Sequence, residues 1–142
     1  MRLRVLAAAA SLCLPAVVAH AQADFDAVKA SGEISNDLAR RDIDAAAGVA
    51  SRLMVATSAA RLKGTFDIAR GFGQCEYADL VYARDYGRIE KDIIYKIDYE
   101  EAFLFVRFLY HVDRGAWRLI HVDLKIEDEL PFPKDWLHIY PK

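Results

Sequence analysis

From Ala102 to Val112 the chain reads Ala-Phe-Leu-Phe-Val-Arg-Phe-Leu-Tyr-His-Val, apolar at odd and even positions alike, with only Arg107 and His111 interrupting. A strand points successive side chains to opposite faces, so a run apolar on both faces belongs in the middle of a sheet, not at its edge. Its flanks supply the neighbours. Residues 89–99 alternate, with Ile93, Tyr95, Ile97 and Tyr99 on one face and Ile94, Lys96 and Asp98 on the other, and a short break at Glu100-Glu101 follows. Asp113-Arg114-Gly115 is a tight hairpin signal. The return, Ala116 to Ile126, is expected to place Ile120, Val122, Leu124 and Ile126 on one face and Trp117, Leu119, His121, Asp123 and Lys125 on the other. Residues 74–84 read as a further strand, with a turn at Asp85 to Gly87. Glu127-Asp128-Glu129, Pro131 and Pro133 end the regular pattern, and the tail from Trp136 to Tyr140 is too apolar to be a free end.

The preceding half is of another kind. Residues 24–71 hold eleven Ala and only two aromatics, Phe25 and Phe66, whereas residues 72–142 hold four Ala and fourteen aromatics. Ala favours helix and aromatics favour strand, which predicts helices first and sheet second. Phe25, Val28, Ile34 and Leu38 recur near helical spacing, with Gly32 weakening the middle. Ile43, Ala46, Ala47, Ala50, Leu53, Met54 and Thr57 mark a second helix, preceded by Asp42 as N-cap. Ser58 caps a third stretch bearing Leu62, Phe66 and Ala69, which Gly71-Phe72-Gly73 ends. The fold class is therefore α+β: N-terminal helices packed on an antiparallel sheet of about four strands, in one domain spanning residues 24–142.

Residues 1–23 stand outside that domain. Arg2 and Arg4 precede an uncharged apolar run from Val5 to Ala19, and Ala19-His20-Ala21 and Ala21-Gln22-Ala23 both fit signal-peptidase sites. The run is shorter than the roughly 20 residues that span a bilayer, so the sequence predicts export to the periplasm or the medium with no membrane attachment after cleavage. A lipid anchor would need Cys13, but Leu12 stands where a small residue is wanted. Cleavage leaves Cys75 without a partner for a disulfide, and it is read as a buried small hydrophobe. A weakly acidic remainder with no basic block longer than Arg40-Arg41 is a poor footprint for nucleic acid or an anionic membrane.

Helices followed by long aromatic strands, the penultimate one ending in a hairpin whose return begins Gly-Ala-Trp-Arg-Leu, resemble the nuclear transport factor 2-like superfamily. The resemblance covers roughly residues 39–127 and is carried by Phe105 to Tyr110, Asp113 to Trp117, and Leu119. It implies a cone-shaped α+β fold with a pocket at the open end and a homodimer formed through the sheet. That superfamily includes ketosteroid isomerases, polyketide cyclases and many exported proteins of no known role, so the fold alone does not give a function.

The polar residues inside this apolar sheet carry most information, because burying them costs free energy unless they are paired. They are Arg107, His111, His121 and Asp123. His121 and Asp123 share a face two residues apart, so the carboxylate could orient the imidazole as an acid/base pair requires, with Arg107 as anion holder. Whether Arg107 joins them depends on the hairpin. A three-residue loop places it opposite His121 on one face, and a two-residue loop turns it away. The plainer reading, which we favour, makes His121, Asp123 and Lys125 a solvated or dimer-facing stripe beside Trp117.

His111 and His121 also invite a metal. A separation of three or four positions along the strand, roughly 10 to 14 Å, is too far for both imidazoles to reach one zinc ion, and no metal or cofactor is expected. Tyr95, Tyr99, Phe105, Tyr110 and Trp117, with Arg107 and His121, are the candidate lining of a ligand cavity for a small apolar or anionic molecule. The aromatics among them are more often plain core. No nucleophile elbow, phosphate loop or dinucleotide fingerprint is present. The leading expectation is an exported non-catalytic domain binding a small molecule or a protein partner. The alternatives are a small lyase or isomerase using His121 and Asp123, and a structural subunit of an envelope assembly.

Overall fold

The two halves separate as their compositions predict. The computed structural model describes residues 25–55, 57, 59–75, 77–100 and 102–127. The export signal, the Ser58 cap and the tail from Trp136 to Tyr140 lie outside the described residues. Three helices come first: α1 (Ala27–Ala39), α2 (Ile43–Leu53) and α3 (Ala59–Phe66), the last running into a 3-10 turn at Asp67–Gly71. Four strands follow: β1 (Ala78–Tyr86), β2 (Glu90–Asp98), β3 (Phe103–Asp113) and β4 (Ala116–Glu127). They form one antiparallel sheet in chain order, so the doubly apolar β3 is interior.

Both long helices start on an aspartate. The Asp26 carboxylate accepts from the Lys29 amide at 2.9 Å and the Asp42 carboxylate from the Ala45 amide at 3.1 Å, each satisfying an amide that the first helical turn leaves open. Ile34 and Leu38 of α1 are buried in one core with Ile93, Ile97, Leu104, Val106 and Phe108 of the sheet. Ala46, Ala47 and Ala50 of α2 join that core, and Leu62 and Phe66 of α3 complete it. Gly32 has a packing reason: a Cβ there would lie 2.8 Å from the Tyr95 hydroxyl, so only glycine lets α1 come this close to the sheet.

Three local expectations are corrected. The second helix ends at Leu53, not Thr57, because Met54 turns extended and pairs in parallel with Leu119 at the outer edge of β4. The first strand begins at Ala78, whose amide donates to the Asn36 side-chain oxygen at 3.1 Å, and its turn falls at residues 87–89. The faces of β4 are the third. Leu109 pairs with His121 and Tyr110 with Leu119, leaving Ile120 as a bulge that reverses the alternation. Trp117 and Leu119 therefore share the helix-covered face with Val122 and Leu124, while His121, Asp123 and Lys125 lie opposite outer-face residues of β3.

Candidate functional site

The bulge also settles where Arg107 goes. Arg114 and Gly115 both have positive φ, at 50° and 80°, and make a two-residue turn with Asp113 opposite Ala116. Such a loop by itself would turn Arg107 away from His121. One extra residue at Ile120 restores the match, so Arg107 pairs across strands with Asp123, and Leu109 with His121, all on one face. The same shift puts His121 opposite a position two residues from His111 along β3, closer than a bulge-free hairpin allows. Among the described residues no group of three or more His, Cys, Asp or Glu comes together as a metal set.

The candidate residues are divided between the two faces of the sheet. Tyr95, Tyr99 and Tyr110 lie on the helix side with their hydroxyls occupied. Tyr95 donates to Val28 O at 3.0 Å and Tyr99 to Leu38 O at 2.9 Å, while Tyr110 shares a 2.9 Å hydrogen bond with the Ser31 hydroxyl. Burial pushes the phenol of Tyr99 up to about 12, and raises those of Tyr95 and Tyr110 above the ordinary value, so all three are neutral at physiological pH. Trp117 packs against this core, with the Lys91 ammonium 5.1 Å from its ring centroid.

The outer face holds Phe105, Arg107, His121 and Asp123, together with a residue the sequence reading missed. Asp92 of β2 receives Arg107 in a two-pronged pair, Nε to Oδ1 at 2.8 Å and Nη2 to Oδ2 at 2.6 Å. Arg107 is 5% exposed and Asp92 3%. The planar guanidinium fork matches the carboxylate, the arrangement that best offsets the loss of water around both charges. Ile94 and Phe105 beside them are 1% exposed and form a second apolar cluster with Tyr82 and Phe103, made of strand residues alone. Tyr82 and Tyr86 share a hydrogen bond of 3.2 Å, and burial followed by that contact raises Tyr86 to about 12. Asp92 had no distinguishing sequence context, because the face of β2 that carries it also holds Lys96 and Asp98. Only the register shows that its partner lies one strand over, a single step off the direct cross-strand position.

Open clefts flank the sheet, two of which border candidate residues or the start of α1. One, of about 430 Å³, lies at the start of α1 between Phe25, Asp26, Ala83, Arg84, Asp85 and Lys91, and its charges are mixed, with Lys91 on Asp85 at 2.9 Å. The other, of about 310 Å³, lies between α3 and the bulge of β4. Thr57, Arg61, Thr65 and His121 supply its polar lining and Met54, Leu62, Ile120 and Val122 its apolar lining, with no carboxylate among them. This cleft takes in His121 but not Arg107 or Asp123.

No protein-family model matches the chain, and no curated protein matches it in sequence. In structure it is similar to the crystal structure of a DUF4783 family protein from Bacteroides ovatus ATCC 8483, with a TM-score of 0.54 and 5% identity. The match covers 74% of this chain and 97% of that one. At that identity the likeness is one of fold.

Proposed function

We propose that this chain is an exported, non-catalytic binding domain whose ligand is a small amphiphilic anion, held in the cleft between α3 and β4. The observation that carries this reading is the composition of that cleft. Among the described residues, Arg61, His121, Thr57 and Thr65 line it beside an apolar wall of Met54, Leu62 and Val122. Guanidinium, imidazole and hydroxyl groups suit an anion, and the wall suits a short hydrocarbon portion. Titrating the full chain with inorganic phosphate and with straight-chain carboxylates of increasing length, followed by calorimetry, tests it. Saturable binding that tightens with chain length and weakens about tenfold in Arg61→Ala is expected, since a hydrogen bond to a charged group contributes about 1.5–3 kcal/mol. Heats that never saturate for any probe would remove the reading.

The lyase or isomerase alternative is less well supported. It needs Arg107 available to a substrate, and that side chain is clamped by Asp92 on the face away from the helices. Membership of the nuclear transport factor 2-like superfamily belongs to the same proposal, supported by the order of helices and meander. So does export, which N-terminal sequencing of the secreted chain checks. A homodimer through the sheet is read onto the β1 edge, where Leu80, Val81 and the preceding Tyr77 are exposed, because Met54 bridges the β4 edge. Light scattering of Val81→Lys against the parent chain is expected to show loss of the dimer. A parent chain already monomeric at micromolar concentration would end that part of the proposal.

A further inference from the structure

The edge strand β1 is complementary to a reversed copy of itself. Among the described residues its one strand neighbour is β2, and Leu80 and Val81 are 47% and 42% exposed. Val81 is an extra residue between Leu80 and Tyr82, without an opposite number on β2. In a regular strand Asp79 and Arg84 would point to opposite faces, because they are an odd number of residues apart. The bulge puts both on the outer face. Asp79 lies opposite Lys96, whose ammonium is 5.1 Å from the centroid of the Phe103 ring, and Arg84 lies opposite Asp92. Leu80 and Ala83 lie opposite Tyr95 and Ile93 and so share the helix face. We infer that two copies join β1 to β1, antiparallel, in the register that sets Asp79 of each against Arg84 of the other. The inference rests on the edge dimer proposed above and specifies how the two edges meet.

Charge and shape select that register. The charges that face Asp79 and Arg84 within one chain are engaged elsewhere. Lys96 binds Asp98 at 2.9 Å, and Asp92 receives Arg107 at 2.8 and 2.6 Å. Each exposed charge on β1 therefore finds its match on the second copy, and the two-fold axis makes the contact twice. Centring the pairing on Asp79 or on Arg84 would instead set like charges directly opposite each other, which destabilises a strand pair. In the chosen register Val81 meets the partner's Tyr82 at the axis. On the helix face the partner's Leu80 comes opposite Ala83, at the mouth of the 430 Å³ cleft whose apolar lining is Phe25, Val28, Ala83 and Ile93. A leucine exposed in one copy thus gains an apolar seat in the other. The two four-stranded sheets become one continuous sheet, which removes the open edge.

Sedimentation velocity of the full chain at a series of micromolar concentrations tests the register. Asp79→Arg and Arg84→Asp should each raise the dissociation constant of the dimer about tenfold, since each turns two attractive contacts into repulsive ones. The double variant should restore it, and mixing the two single variants should give a heterodimer, because both cross-pairs are then of unlike charge. Asp79→Asn and Arg84→Gln replace any reversed variant that fails to fold, each with an expected weakening of about threefold. A parent chain that is monomeric throughout ends the edge dimer and this inference with it. A parent dimer that Val81→Lys breaks, but in which the double variant restores nothing and the mixture forms no heterodimer, overturns the register while the edge dimer stands.

Discussion

The two faces of this sheet bury polar groups by different means. On the helix side three tyrosines bury neutral hydroxyls and give each one a partner on α1, two of them backbone carbonyls. On the outer side a full ion pair is buried between strands, and no described helix takes part. Neutral groups lose little on leaving water once hydrogen-bonded, and they tie α1 to one position on the sheet. Charges lose far more and recover it only with good geometry. The helix face is thus built to hold a layer in register, and the outer face contains a buried ion pair that fails badly when halved.

The largest expected effect follows from that difference. Asp92→Ala removes the two-pronged acceptor of the buried Arg107 guanidinium and should destabilise the chain by about 3–5 kcal/mol in chemical denaturation. The double variant Asp92→Leu with Arg107→Met should recover most of that loss, because no charge then remains buried. A double variant as unstable as the single one would show that the pair itself, and not the orphaned charge, stabilises the face. Next comes Gly32→Ala, whose methyl meets the Tyr95 hydroxyl at 2.8 Å. Overpacking of this kind costs about 1–3 kcal/mol, and Tyr95→Phe in the same chain should relieve part of it.

The helix face also predicts a pH dependence. The folded pKa of Tyr99 is about 12 and that of Tyr110 is raised as well, against about 10 for an unfolded tyrosine. A group whose folded pKa is raised binds its proton more tightly in the folded state. Its contribution is complete below about pH 10 and is lost as pH climbs through the folded value. Stability should fall across that window, and Tyr99→Phe should flatten the fall when denaturation midpoints are measured at successive alkaline pH values. The smallest effect separates two serines one helical turn apart. Ser31 bonds Tyr110, whereas the buried hydroxyl of Ser35 has no hydrogen-bond partner among the described residues. Ser31→Ala should cost about 1 kcal/mol and Ser35→Ala should cost nothing or stabilise.

Much of the architecture was readable from pattern. The Ala-rich half gave helices, Asp42 capped the second, and the run from Ala102 proved to be an interior strand because period and polarity are local properties. The candidate site was less readable. Tyr95, Tyr99 and Tyr110 were identifiable as aromatics of one apolar face, but nothing local says that their hydroxyls end on Val28, Leu38 and Ser31. Arg107 stood out as a charge in an apolar strand, and its partner Asp92, fifteen residues earlier, did not. Arg61 drew no notice at all, since an exposed arginine on a helix has no distinguishing sequence context.

The chain's own order of residues determined the helices, the strands and the interior place of β3, since periodicity and propensity act over a few neighbouring residues. Tertiary structure decided which side chains meet. A single bulged residue at Ile120 reverses the faces of β4 beyond it, brings Asp123 opposite Arg107 and sets His121 opposite Leu109 on the outer face. The physical reason is that a strand has a period of two: one inserted residue changes every later neighbour while leaving the local pattern of the sequence almost untouched.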